Sequence, residues 1–201
     1  MPVVYSRRLF TLAALSAVAL GSTGLPALAI TENDARQLVD EVVAEIQKVI
    51  KSGKSDAAVL REFEKLFMRY ADVNIMAQYA LGNDGRSASA SQKRAFADAF
   101  KGYIARKYGK QFREFIGGRI EIQSTREIRS GFEIRTKAFL SGQSPYDVTF
   151  HVSDRSGRDK FFNIYIEGVN LLLTERTEIG SMLDRRGGDI GAVVADLKKI
   201  G

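Results

Sequence analysis

The chain reads as an α+β fold with helices packed on one side of a twisted four-stranded antiparallel sheet, and three observations predict it. The hydrophobic period changes from about 3.6 residues to 2 at Gly117-Gly118, so the part before it is helical and the part after it stranded. The links between the strand-like runs are too short for crossover helices, which makes an antiparallel meander the natural pairing. Phe161 to Ile179 is also apolar on too many sides for a surface strand, so something apolar must cover both of its faces.

The N-terminal residues stand apart from this fold. Arg7 and Arg8 precede an Ala/Leu-rich run from Leu9 to Leu20, and Ala27-Leu28-Ala29 follows as a small-x-small cleavage signal. Residues 1–29 are therefore expected to be a cleaved export signal, their apolar run being too short to span a bilayer. Ser6 to Phe10 also resembles a twin-arginine signal. With no cysteine in the chain, lipobox lipidation, disulfides and thiolate chemistry are excluded, and the expected compartment is a bacterial periplasm. Removing Arg7 and Arg8 lowers the formal charge from +6 to +4, a surplus too mild to select a partner. Residues 30–201 are read as one domain, with a helical half at 31–116, a sheet half at 119–175 and C-terminal helices at 176–199.

Thr31, with Asp34 three residues on, opens the first helix, and Leu38, Val42, Ile46, Val49 and Ile50 recur at helical spacing until Ser52-Gly53. Ser55 opens a second, with Leu60, Phe63, Phe67 and Tyr70 as an aromatic stripe beside Leu66. Asp72 caps a short third carrying Ile75, Met76 and Tyr79, and the glycine-rich Leu81 to Gly85 ends it. A long helix then follows Ser91, its row of rings at Phe96, Phe100, Tyr103, Tyr108, Phe112 and Phe115 stopping near Gly117-Gly118. Stacked rings of this kind fill a core or wall a cavity.

Four strands are expected: Arg119 to Ile128, Gly131 to Leu140, Tyr146 to Ser153 and Lys160 to Glu167. Phe132, Ile134 and Ala138 share one face, as do Tyr146, Val148, Phe150 and Val152, while Glu133, Arg135, Lys137, Asp147 and His151 make the other face wet. Gly168 marks a bulge or bend where the chain leaves the sheet. Arg176 to Leu183 is helical, Gly187-Gly188 breaks it, and Asp189 caps a last helix with Ile190, Val193, Val194 and Leu197 on one side.

The catalytic inventory is thin. His151 is the sole histidine and is placed on the wet face; without cysteine it forms no recognisable metal cluster or nucleophile pair. Glu167, Glu175 and Glu178 with Arg176 form one dense charge cluster, and a buried carboxylate there would suit a small cavity enzyme. Arg106, Lys107, Lys110 and Arg113 make a basic helix face, which fits a scaffold module docking on an envelope partner better than nucleic acid, given the export signal.

Glu167-Gly168-Val169-Asn170-Leu171-Leu172-Leu173-Thr174-Glu175-Arg176, then Gly187-Gly188 and the terminal helix from Asp189 to Lys199, resembles the C-terminal signature of the MlaC-like periplasmic phospholipid-binding proteins, also called the toluene-tolerance auxiliary family. Asp72-Val73 with Leu81-Gly82, then Phe96 to Tyr108, is similar to that family's helical half. Asn170 stands where the likeness leads one to expect serine. The resemblance implies a soluble, monomeric carrier that is not an enzyme. Its cargo would be phospholipid, held with the acyl chains in a cavity between sheet and helices, without metal or other cofactor. It would move lipid between an outer-membrane lipoprotein and porin complex and an inner-membrane ABC transporter with a substrate-binding ring protein, maintaining outer-membrane lipid asymmetry. The small carboxylate enzyme and the non-lipid scaffold remain the alternatives.

Under that reading the lipid-lining positions are the inward-facing apolar ones. On the helices these are Phe67, Tyr70, Met76, Tyr79, Phe100, Tyr103 and Ile104. On the strands they are Phe139, Val148, Phe150, Val152, Phe162, Ile164 and Ile166, and beyond the bend Val169, Leu171, Leu172 and Leu173.

Overall fold

The computed structural model describes residues 30–109, 118–140 and 142–200. The expected export signal at 1–29 lies outside these residues, as do Lys110, Phe112, Arg113, Phe115 and Gly117.

The helical half contains α1 (Glu32–Ile50), α2 (Asp56–Tyr70), α3 (Val73–Leu81), α4 (Asp84–Ser87) and α5 (Ala90–Gly109). The short α4 occupies the stretch expected to be a glycine-rich break. α1 begins in a reciprocal cap. Thr31 Oγ1 accepts from the Asp34 amide at 3.2 Å, and the Asp34 carboxylate accepts from the Thr31 amide at 3.0 Å. Asp72 caps α3 by accepting from the Ile75 amide.

The sheet consists of β1 (Arg119–Ile128), β2 (Gly131–Phe139), β3 (Tyr146–Ser153), β4 (Lys160–Ile166) and β5 (Val169–Asn170), antiparallel throughout in the order β1-β2-β3-β4-β5. α6 (Leu171–Arg185) and α7 (Ile190–Leu197) complete the chain. The helices cover one face of the sheet. α1 lies across β1 to β3, α3 and α6 lie against β4, and α5 sits behind them on α2, α3 and α7.

Two departures from the sequence reading lie at the end of the sheet. The chain does not leave the sheet at Gly168. Glu167 and Gly168 both have positive φ, 48° and 77°, and form the two-residue loop of a hairpin that pairs Ile166 with Val169. A fifth strand therefore follows the expected four. Helix α6 then starts at Leu171 rather than Arg176, so residues 171–175 belong to a helix and not to the sheet half. The apolar run Leu171 to Leu173 looks like strand continuation, but Asn170 ends it by accepting from the Leu173 amide at 3.0 Å as an N-cap. Leu172, Glu175, Ile179 and Leu183 then form the buried stripe of α6.

A third departure is a bulge in β4. Asn163 opposes His151 and Phe161 opposes Val152, leaving Phe162 as the unpaired extra residue. Phe161 thereby shares the inner face with Ile164 and Ile166, and Phe162 turns to the outer face. There the His151 ring packs against Phe162 and Tyr165, with centroids 5.7 and 4.8 Å away. His151 Nε2 also lies 3.4 Å from the Glu133 carboxylate, which accepts from Arg126 and Arg135. The outer face is thus not uniformly wet: Arg135 and Asp147 are exposed, while Glu133 is buried and His151 largely covered. Burial holds His151 below the usual imidazole value despite Glu133.

Candidate apolar cavity

Between the inner face of the sheet and the helices lies a cavity of about 120 Å³. β3 contributes Val148 and Phe150, and β4 contributes Phe161, Ile164 and Ile166. These are successive inward positions once the Phe162 bulge is counted. A parallel bridge between Ala71 and Phe161, with the Asp72 amide donating to the Phe161 carbonyl at 2.8 Å, ties the α2–α3 junction to this wall. Lys160 Nζ reinforces the tie by donating to the Ala71 carbonyl at the end of α2.

The opposite wall is helical. Val42 and Ile46 come from α1, Phe63, Leu66 and Phe67 from α2, and Met76 from α3. α5 adds Ile104, Ala105, Tyr108 and Gly109, α6 adds Leu171, Leu172 and Glu175, and Ile120 of β1 closes the edge. Leu172 is fixed by buried Asn163, whose Oδ1 accepts from the Leu172 amide at 3.2 Å while its Nδ2 donates to Asn170. One asparagine thus joins β4, β5 and the start of α6.

Of the residues expected to line a cavity, Phe67, Met76, Ile104, Val148, Phe150, Ile164, Ile166, Leu171 and Leu172 do so. The others lie elsewhere, for identifiable reasons. Phe100 and Tyr103 are fully buried in a row of rings with Phe96, Phe96 stacked on Phe100 and Tyr103 tilted against it, outside the cavity lining. Val152 is fully buried in the core beyond the cavity, and Tyr70 is buried at the end of α2 with Arg69 over its ring. Phe139 has outward parity on β2 and carries the Arg119 guanidinium 3.9 Å above its ring. Phe162 is turned out by the bulge. Tyr79, Val169 and Leu173 are exposed, Tyr79 beneath Arg176 and Leu173 on the solvent side of α6.

Two further expectations are corrected here. The two described residues of the expected basic face are engaged within the fold: Arg106 donates to the Leu197 and Ile200 carbonyls after α7. Lys107 is turned into an ion cluster. Glu167 is exposed at the hairpin turn, its carboxylate accepting from the Asp147 amide, so it is no cavity base.

Glu175 is the only charged residue among the described lining residues. It is 1% exposed, and its Oε1 accepts from Lys107 Nζ at 2.7 Å and from the Tyr108 hydroxyl. Lys107 also donates to Glu178 and to the Tyr103 hydroxyl. Burial pulls the Lys107 ammonium downward, but its bonds to Glu175 and Glu178 outweigh this and hold it above the ordinary lysine value. Burial raises Glu178, and Lys107 overcomes it, leaving that carboxyl below its usual range. Burial, reinforced by Glu175, pushes both tyrosine hydroxyls far upward, so they remain donors.

The apolar surroundings determine what this space accepts. An engineered apolar cavity of about 150 Å³ stays dry and takes up benzene, so this one favours an apolar guest over water. Two acyl chains would require its walls to move apart.

Comparison with known proteins gives two findings. The family model described as MlaC protein matches residues 36–199. A solved structure of a phospholipid-binding protein from Ralstonia solanacearum, in complex with a phospholipid, matches with a TM-score of 0.72 at 21% identity. The match covers 82% of this chain and 95% of that one. At that identity the likeness is one of fold.

Proposed function

This chain belongs to the MlaC family, and from that premise we propose that it is a carrier that binds phospholipid by its acyl chains and passes it between membranes. The observation that carries the proposal is the cavity itself. Eight elements of sheet and helix turn apolar side chains toward one space, and one of the described lining residues is charged. A core meant only for stability would close such a space, because unfilled volume is destabilising.

The physical task fits the design. Each methylene buried away from water is worth about 0.8 kcal/mol, so acyl chains do not cross an aqueous compartment uncovered. A carrier needs an interior nearly as apolar as the bilayer and no more, because release to the next holder is a near-balanced exchange. Direction then comes from the partners. In this reading residues 1–29 export the chain to the periplasm, where it works as a monomer. It receives or delivers lipid at an outer-membrane lipoprotein and porin complex and at an inner-membrane ABC transporter with its ring protein.

The carboxylate-enzyme alternative would rest on Glu175. Its Oε1 is already held by Lys107 and Tyr108, and the surrounding walls offer apolar contact rather than further acid–base groups. Purification under native conditions followed by organic extraction and mass spectrometry tests the carrier reading. The expected result is stoichiometric phospholipid; a reproducibly lipid-free protein that also fails to take lipid from vesicles would overturn it.

A further inference from the structure

Ile30 stands just before Thr31, the N-cap of α1, and its backbone N–H donates to Asp154 Oδ2 at 3.1 Å. Asp154 follows β3 directly, so this bond, between residues 124 apart in the chain, ties the entry of α1 to the β3–β4 loop. The Ile30 side chain packs on the hydrophobic core, which holds its nitrogen in place.

Two more carboxylates gather at this corner. Asp34 accepts from the Thr31 amide and hydroxyl. Asp159, at the far end of the loop, is held above the usual carboxylate value by partial desolvation and then by the charges of Asp34 and Asp154. Among the described residues, no lysine, arginine or histidine forms an ion pair with any of the three.

The chain carries a signal that would place a cation there. Ala27-Leu28-Ala29 is a small-x-small cleavage signal. Hydrolysis after Ala29 breaks the peptide C–N bond: water gives its hydroxyl to the Ala29 carbonyl and a proton to the Ile30 nitrogen. That nitrogen becomes an α-amine with an ordinary pKa of about 7.7–8.0, protonated at neutral pH.

We propose that removal of residues 1–29 makes the Ile30 α-ammonium the cation of Asp154 and its neighbours Asp34 and Asp159, locking α1 onto the β3–β4 loop only after processing. This rests on the export reading of residues 1–29 given above and is independent of the cargo.

Before cleavage the nitrogen is a neutral amide with one N–H. After it, the same atom has three N–H donors and a charge, and charge-assisted hydrogen bonds are roughly twice as strong as neutral ones. The dipole of α1 acts the other way, because the N-terminal end of a helix is positive and repels an ammonium. Glu32 and Asp34, in the first turn, already offset that end, which leaves Asp154 and Asp159, from outside the helix, to favour the ammonium. The lock bears on the cavity, since α1 supplies Val42 and Ile46 to its wall.

The test compares the mature chain beginning at Ile30 with one that keeps Ala27-Leu28-Ala29, which moves the ammonium up to about 10 Å away. Thermal unfolding of each is measured in the wild-type and Asp154→Asn backgrounds. The three-residue extension should lower the Tm by about 2–4 °C. Asp154→Asn should lower it by a similar amount in the chain that begins at Ile30. In the extended chain it should have less than half that effect, because an asparagine oxygen still accepts from a neutral amide. The intact mass of the exported protein should correspond to a chain that begins at Ile30.

Equal Tm values for the two termini, an Asp154→Asn effect that is the same in both, or a processed chain that begins elsewhere would overturn the proposal. Recovery of exported protein with residues 1–29 attached would overturn the export reading with it. Lipid content is measured separately and bears on the carrier reading alone. The comparison of termini changes no side chain, so misfolding of Asp154→Asn does not rescue the idea.

Discussion

Filling the cavity should separate its two roles, because an empty apolar space weakens the unloaded fold while providing the binding energy of the loaded one. Ala105 is buried on α5 and lines the space, and Ala105→Leu keeps a good helix former at the position. Residual cavity volume is destabilising by about 24 cal/mol per Å³, so filling all 120 Å³ would stabilise the lipid-free protein by about 3 kcal/mol. One leucine fills part of this, and about 1 to 2 kcal/mol is expected. For a chain of this size that raises the Tm by roughly 2–4 °C per kcal/mol. The same three carbons displace about three methylenes of cargo, and at about 0.8 kcal/mol each the affinity should fall roughly fiftyfold. Urea unfolding of delipidated protein and mass spectrometry of the native preparation read the two effects. A variant that is more stable and still carries the wild-type amount of lipid would show that the cargo sits elsewhere. A variant that is less stable would show that the space is not free volume.

Three other perturbations have defined outcomes. Leu172→Asp should reduce bound lipid strongly in the folded protein while the exposed Lys199→Asp leaves it unchanged; equal lipid content in both would move the site away from the start of α6. Asn163→Ala leaves the Leu172 amide without its acceptor and should cost about 1–3 kcal/mol, measured by urea unfolding. His151 is the only histidine, so its imidazole resonance is unambiguous in a proton NMR titration, and its midpoint should lie below about 6.5. Below that pH the unfolded chain binds the proton more readily than the folded one. Stability is therefore full above about pH 6.5 and declines as pH falls through the unfolded value toward the folded one. His151→Gln should flatten that decline, and an unchanged slope would show that another group carries it.

Much of this fold was legible because period and capping signals are local. Thr31 with Asp34, Asp72 and Asp189 each open a helix where the sequence places them, and the inner faces of β2 and β3 follow simple alternation. The start of α6 was misread because three consecutive leucines carry no period, and the decisive residue is the short polar side chain of Asn170 before them. Parity failed at Phe161 and Phe162 because a bulge leaves no mark in the alternation of an all-apolar run. On α5, one ring row serves two places: Phe96, Phe100 and Tyr103 fill the core outside the cavity lining, while Ile104 and Tyr108 reach the cavity. Helical spacing identifies the stripe but not which neighbour it meets. Val42, Ile46, Phe63, Leu66 and Ile120 were likewise visible as apolar positions, without any sign that they border open space. Glu175 did carry a signal, as a carboxylate in an apolar segment.

The bulge at Phe162 also bears on how this wall tolerates changes in chain length. Because Phe162 is the surplus residue in β4, deleting it restores an unbroken ladder in which Phe161, Ile164 and Ile166 still point inward and pair opposite Val152, Phe150 and Val148. A deletion at Ile164 or Tyr165 instead reverses the facing of every residue on one side of it. Relatives that are one residue shorter in this strand are thus expected to have lost the outward aromatic and kept the interior intact. Alignments across the strand should place their gap at that position.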